Sequence, residues 1–231
     1  MNIKDYKYKI ETHAHTKPMS PCATLKPEEV IKKYSEIGFS AITITNHFSK
    51  GVFAGDSKET VKKRFLSDYY ASCEAGEKHG IKVILGMEIR FPQNANDYLV
   101  YGFCEDDIDI MYDLSFTDCA TFYKEFKNDK NVILQAHPFR DGMVRYDPKY
   151  LDGIETFNMH LGHNSRAADA LIYAKKYPHF ITTCGTDFHY DTHQGLGGII
   201  TKTLPTNSYE LASILKSRDY LFNVVGSVVI P

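Results

Sequence analysis

Residues 8–22, YKIETHAHTKPMSPC, set a β-branched and aromatic run directly against two histidines one residue apart, His13 and His15. Residues i and i+2 of an extended strand point to the same face. A strand over Tyr8–Thr12 would therefore end with two imidazoles side by side. Such a pair is a metal clamp or a coincidence, and the ends of the other strands decide between them.

Short β-branched or aromatic runs bounded by turn residues recur at Ser40–Thr45, Lys82–Met87, Tyr98–Phe103, Val132–Ala136, Gly153–Phe157, Phe180–Cys184, Gly198–Thr201 and Leu221–Val225. Helical periodicity lies between them. PEEVIKKYSEIG, residues 27–38, places Val30, Ile31, Tyr34 and Ile37 on one face, with Pro27 and two glutamates in the first turn and Gly38 closing the helix. Residues 59–80 continue Val61, Phe65, Tyr69 and Cys73 on one face, and Asn207 with Glu210 three residues on makes a helix cap. The alternation predicts an α/β fold with a mostly parallel sheet and crossover helices. Seven or eight such units favour a closed or distorted barrel over an open sheet. No repeat, low-complexity stretch or linker divides the chain, so one domain over residues 1–231 is expected.

The composition is compatible with that fold. In 231 residues, 43% are hydrophobic and 24% charged, enough for a sizeable core and unlike a disordered chain. The net charge of −2, with both signs interspersed, offers no basic stripe for nucleic acid as an obligatory partner. The N-terminal MNIKDYKYK lacks an apolar signal region, and no apolar run approaches membrane-spanning length. Five scattered cysteines without a C-x-x-C pair suit reduced thiols. A cytoplasmic protein with no membrane partner is the expectation.

Barrel chemistry collects where strands run into the following loops. Those positions hold His13 and His15, Asn46-His47 in ITITNHF, Glu88 in ILGMEIR, His137 in VILQAHPFR, Glu155 in GIETFN, and Asp187 and His189 in ITTCGTDFHY. Any one of these histidines, read alone, is an ordinary structural residue. Gathered together, buried imidazoles and carboxylates are costly unless something neutralises them, and a divalent cation does so directly. A nitrogen and oxygen donor set without thiolate suits zinc, manganese or iron better than magnesium. This many donors exceed the needs of one tetrahedral ion, so two or more are expected, with Glu88 or Asp187 bridging ions about 3.5–4 Å apart.

Five motifs in order, THAHT, ITNH, GMEI, AHPFR and GTDFH, give the chain a resemblance to the PHP family, the metal-dependent phosphoesterases named for polymerase and histidinol phosphatase. The resemblance covers essentially the whole chain and implies a distorted (β/α)7 barrel. It also implies metal ligation by His13, His15, His47, Glu88, His137, Asp187 and His189. The sequence departs from trinuclear members in having no histidine between His15 and His47 and none between His79 and His137, and Asn46 stands for the usual aspartate. Two or three divalent ions are therefore expected. Amidohydrolase barrels share the opening H-x-H, but no lysine ends a strand here and Glu88 has no role in that pattern.

The implied reaction is attack on a phosphoester by a water that the ions acidify to a pKa of about 7. Asp187 is the expected catalytic carboxylate. Arg140, three residues past His137, is the first choice for clamping phosphate, with Lys17 and Arg166 behind it. His160 and His163 are candidates to line the pocket or protonate the leaving group, and His193 has no assigned role. The stretch HFSKGVFAGDSKET after His47 reads as a loop able to cover the site. A small phosphorylated metabolite, histidinol phosphate among them, is the leading substrate class. Phosphodiester cleavage in nucleic acid comes second, and a non-catalytic metal-binding module third.

Overall fold

β1 spans Tyr8–Ala14 and carries the paired histidines to its end. The computed structural model describes residues 2–231. After β1 come α1 (Pro27–Glu36), β2 (Ala41–Ile44), β3 (His47–Phe48), α2 (Lys50–Phe53), α3 (Lys58–His79), β4 (Lys82–Leu85), β5 (Met87–Arg90) and β6 (Asp97–Tyr101). The second half holds α4 (Ile108–Leu114), α5 (Cys119–Phe126), β7 (Val132–Gln135), β8 (Gly153–Asn158), α6 (Ala167–Ala174) and β9 (Ile181–Gly185). The chain ends with β10 (Ile199–Thr201), α7 (Ser208–Ser217), β11 (Tyr220–Val224) and β12 (Ser227–Val229).

Helix boundaries follow their caps. Glu29 accepts the Lys26 N–H at 2.8 Å ahead of Pro27, and the Asn207 side chain accepts the Glu210 N–H at 3.0 Å. Val30, Ile31 and Tyr34 of α1 are buried as the periodicity predicts, and so are Val61 and Phe65 of α3, with Tyr69 and Cys73 half-buried. Ile37 departs from expectation: it lies past the end of α1 and is 41% exposed.

The expected single ring of strands resolves into two six-stranded sheets, ordered β12-β11-β10-β1-β2-β4 and β3-β5-β6-β7-β8-β9. Parallel pairing holds for β1–β2, β2–β4, β3–β5, β7–β8 and β8–β9, while β5–β6, β6–β7 and the pairs from β1 through β10 and β11 to β12 are antiparallel. The sheet is thus mixed where a mostly parallel one was expected. Residues 91–96 joining β5 to β6 are too few for a crossover, which needs about a dozen. The expected strand at Lys82–Met87 also breaks at Gly86, where a Cβ would sit 2.7 Å from Thr43 Cγ2 and 2.9 Å from Thr45 Cγ2.

Two breaks position the site. Between β2 and β3, and again between β4 and β5, the chain leaves the first sheet and enters the second. A bridge between Ala14 and Phe188 joins the two sheets on the other side. Strand ends carrying His13, His15, His47, Glu88 and Asp187 therefore meet along one seam. Apolar clusters hold the seam in place: Phe48, Phe53, Phe65, Phe91 and Phe122 pack together on one side, and Tyr34, Phe39 and Phe188 on another. Fully burying each such phenylalanine is worth about 1.5–3 kcal/mol. Among the described residues, no helix is long and apolar enough to cross a membrane.

Candidate metal centre

His13 and His15 are completely buried, and their Nε2 atoms face each other at 3.1 Å. Their Nδ1 atoms have acceptors. Glu155 Oε1 lies 3.0 Å from His13 Nδ1, and Ser20 Oγ lies 3.0 Å from His15 Nδ1. Ser20 Oγ donates to Asn46 Oδ1 and accepts the His47 N–H, so it is an acceptor toward His15. With both Nδ1 atoms carrying protons, both Nε2 lone pairs point at one spot. Only a shared positive charge, proton or metal ion, makes that arrangement favourable.

Carboxylates converge on the same point. His13 Nε2 is 3.2 Å from Glu88 Oε1 and 3.4 Å from Asp187 Oδ1, and His15 Nε2 is 3.4 Å from each of Glu88 Oε2 and Asp187 Oδ1. His47 Nδ1 approaches Glu88 Oε2 at 2.7 Å, and His137 Nε2 approaches Glu88 Oε1 at 3.2 Å. His189 donates its Nδ1 proton to the Asp187 carbonyl at 2.9 Å and stacks its ring on His15 at 4.2 Å between centroids. No well-aligned hydrogen bond reaches the buried Glu88 Oε2 or Asp187 Oδ1, although His47 Nδ1 lies 2.7 Å from the former, as expected of atoms that share an ion with the imidazoles. Three donor groups could hold a metal: His15, His47 and His189; His13, His15 and Glu88; His47, Glu88 and Asp97. The residues present fit divalent cations.

The electrostatics agree. Burial lowers the pKa of His13, but the charges of Asp187, Glu155 and Glu88 outweigh it and hold the imidazole well above its usual value. Burial beside His189 and His47 drives His15 well below its own. Burial pushes Glu88 and Asp187 up, yet the surrounding imidazoles hold both carboxyls well below the normal range. Two site residues also sit in left-handed backbone, His137 at φ 30° and Asp187 at φ 54°. Sparsely populated conformations of this kind persist where the surrounding structure enforces them, and they cluster at active sites.

A family model for the PHP domain matches residues 11–228. This chain belongs to the PHP domain family. The PHP domain is 26% identical over 140 residues to the PolC-type DNA polymerase III of Latilactobacillus sakei subsp. sakei (strain 23K), covering 59% of this chain and 8% of the polymerase. It spans about a tenth of the length of the curated relatives it matches, 8% in one and 12% in another. In fold it is similar to a two-domain protein from Bacteroides vulgatus ATCC 8482 containing a predicted PHP-like metal-dependent phosphoesterase. That match has a TM-score of 0.68 at 18% identity and covers 97% of this chain and 67% of the other. PsfC from Pseudomonas syringae PB-5123 is similar too, with a TM-score of 0.61 at 15% identity, covering 89% of this chain and 88% of PsfC.

The PHP cluster floors a cavity of about 440 Å³ walled by Phe48, Val52, Arg90, Arg140, His160 and Tyr190. All seven residues expected as ligands come together at this floor or directly beneath it. Arg140 lines the cavity half-buried and makes no ion pair among the described residues. Lys17 and Arg166 do not line it. Lys17 borders a separate surface cleft beside Asp68, because the chain turns away from the seam after Thr16. Arg166 is engaged by Asp141 at 2.5 Å and by the Phe139 carbonyl at 2.7 Å, which makes it a loop brace.

His160 and His163 stack at 3.9 Å against the wall. Burial lowers each to a pKa of about 4. His193 edges onto His160 at 5.9 Å between centroids. The expected covering loop after His47 is a wall pinned by buried Phe48 and Phe53, with α2 inside it. Asn46 braces the loop after β1, accepting the Thr16 N–H at 2.7 Å and the Ser20 hydroxyl at 2.9 Å.

Four other residues contribute without having been singled out as ligands or clamps. Asp97 joins the third donor group and is gripped by Arg90. Cys22 lies at the cavity rim; burial raises its thiol pKa, but hydrogen bonds to His189 and His47 outweigh this and bring it to about 6. Glu11, fully buried, accepts the backbone N–H groups of His13 at 3.0 Å and Thr186 at 2.9 Å, tying the two ligand-bearing segments together. Its position two residues before His13 on one strand face was the available signal.

Proposed function

We propose that this PHP domain is a metal-dependent phosphoesterase hydrolysing a small phosphomonoester in the cavity above the seam. The reading is carried by one observation: the inward-facing Nε2 atoms of His13 and His15, 3.1 Å apart among the buried carboxylate oxygens of Glu88 and Asp187. His13, His15, His47, Glu88, His137, Asp187 and His189 would hold two or three ions, with zinc, manganese or iron suiting the donors better than magnesium. When bound, such ions supply Lewis acidity that acidifies water and neutralises charge developing on a phosphoryl group.

The chain's own residues orient and enclose. Glu155, Ser20 and the Asp187 carbonyl accept the Nδ1 protons of His13, His15 and His189 and so turn each Nε2 inward. Arg140 presents a guanidinium to phosphoryl oxygens. Phe48 and Val52 keep bulk water from one wall. His160 accepts the Gly162 N–H on Nδ1 at 2.9 Å, so its proton sits on Nε2. Neutral near pH 7, it serves as a hydrogen-bond donor to the leaving group rather than as a strong acid.

A cavity of this size suits a small ligand. The likeness to PolC-type polymerases favours phosphodiester cleavage as a second reading. Protein loaded with manganese or zinc, assayed on a panel of phosphomonoesters that includes histidinol phosphate and on a labelled oligonucleotide, separates the two. Turnover confined to the monoesters supports the phosphatase. Turnover confined to the oligonucleotide replaces it with the nuclease, and inactivity on both with metal tightly held leaves a binding module.

A further inference from the structure

Resting on the metal-dependent reading above, we infer that Arg90 stands in for a third cation: latched to Asp97, its guanidinium supplies the positive charge that a third ion would bring, and the centre works with two. Of the three donor groups, the one formed by His47, Glu88 and Asp97 includes a carboxylate paired with a guanidinium. Asp97 is 1% exposed and lies 3.8 Å from His137 Nε2, placed to ligate, yet both of its oxygens are taken. Arg90 Nε donates to Oδ1 at 2.7 Å and Nη2 donates to Oδ2 at 2.6 Å. This fork-to-fork pairing occupies one lone pair on each oxygen and meets the carboxylate's charge with a guanidinium, which weakens Asp97 as a metal ligand.

The arrangement is built into the sheet. Antiparallel β5 and β6 pair Arg90 directly with Asp97, and Glu88, two residues earlier on the same strand face, points into the centre. A cationic side chain is thereby fixed at the edge of the metal cluster by backbone register.

Charge counting points the same way. With Asp97 neutralised by Arg90, the carboxylates that face the imidazoles are Glu88, Asp187 and Glu155, Glu11 being held by the His13 and Thr186 N–H groups and by the Thr186 and Tyr34 hydroxyls. Two divalent cations exceed those three charges by one, a balance that favours an anionic substrate. A third divalent ion would have to expel the guanidinium or sit beside it. Arg90 also lines the cavity, and its Nη1 has no acceptor among the described residues, which leaves a donor for a phosphoryl oxygen.

The test is metal content, independent of turnover. Protein reconstituted with excess Mn²⁺, desalted and analysed by inductively coupled plasma mass spectrometry should hold two ions per chain. Arg90→Met should hold three, and the double variant Arg90→Met/Asp97→Asn should return to two. Should Arg90→Met fail to fold, Arg90→Gln removes the charge while keeping a hydrogen bond to Asp97, and it is expected to hold three. Wild type with three ions, or a folded Arg90 variant that stays at two, overturns the inference and leaves the phosphoesterase reading intact. Wild type with no ion overturns both.

Discussion

Changing Glu155 to Gln swaps one oxygen for an NH₂ group and leaves the shape almost untouched. In the wild type, Glu155 Oε1 accepts the His13 Nδ1 proton at 3.0 Å, while Oε2 accepts the His137 N–H at 3.1 Å and the Asn158 Nδ2–H at 2.9 Å. A glutamine must keep its carbonyl oxygen toward the two donors, since an NH₂ there would oppose both. Its NH₂ then faces His13 Nδ1, which can pair with it only by giving up its proton. His13 becomes the Nε2–H tautomer and loses the lone pair aimed at the centre. Loss of such an orienting partner weakens metal binding about 10–100-fold, or about 1.4–2.7 kcal/mol. The shape should change little in the metal-free state, because every donor around residue 155 keeps an acceptor or gains one, while loss of the Glu155 charge lowers the His13 pKa toward its usual value. Competition of Zn²⁺ or Mn²⁺ against a chromophoric chelator measures the affinity, and calorimetry with and without chelator measures the fold. Unchanged affinity in a folded E155Q protein would refute the tautomer argument, and with it the claim that Glu155 directs His13 inward.

Asp187→Asn keeps the left-handed backbone at φ 54°, which asparagine tolerates, and removes the carboxylate. Phosphoesterase activity is expected to fall by at least about 100-fold, with the far-ultraviolet circular dichroism unchanged. Arg140→Ala should raise KM about tenfold with a smaller effect on kcat, as steady-state kinetics on the best monoester will show. Lys17→Ala and Arg166→Ala, neither of which lines the cavity, should leave KM within about twofold. Gly185→Ala would put a Cβ 2.6 Å from His13 Cβ and 2.9 Å from Glu155 Oε1. It should cost about 1–3 kcal/mol and lower Tm by about 2–12 °C, and an unshifted melting curve would mean that β1 and β9 can separate there at no cost.

The strand ends were legible because their signal is local. A β-branched run stopping at His13 and His15, or at Asp187 and His189, shows in adjacent residues, and the period of two places each pair on one face. Asp97 and Cys22 were not legible in the same way. Asp97 follows Gln93, Asn94 and Asn96 and reads as part of a polar turn, and only the β5–β6 register sets it against Arg90 and near His47. Cys22 reads as one of five scattered thiols until the loop after β1 folds back to His47 and His189. Arg166, a second choice for clamping phosphate, misled in the opposite direction, because the sequence says nothing about which way a loop arginine points.

Composition and periodicity alone determined the alternation of strands and helices, the caps at Pro27 and Asn207, and the seven imidazoles and carboxylates at strand ends. Each depends on residues within a few positions of one another. Tertiary structure alone decided that two mixed sheets meet at a seam, that Glu155 and Ser20 aim the histidines, and that Arg90 closes on Asp97. Glu155 and His13 lie 142 positions apart, while Ser20 and Arg90 act over five and seven positions through the path of a loop and the pairing of two strands. Strand order is settled by packing across the whole chain, and pairing direction is locally encoded only where a connection, like residues 91–96, is too short for a crossover.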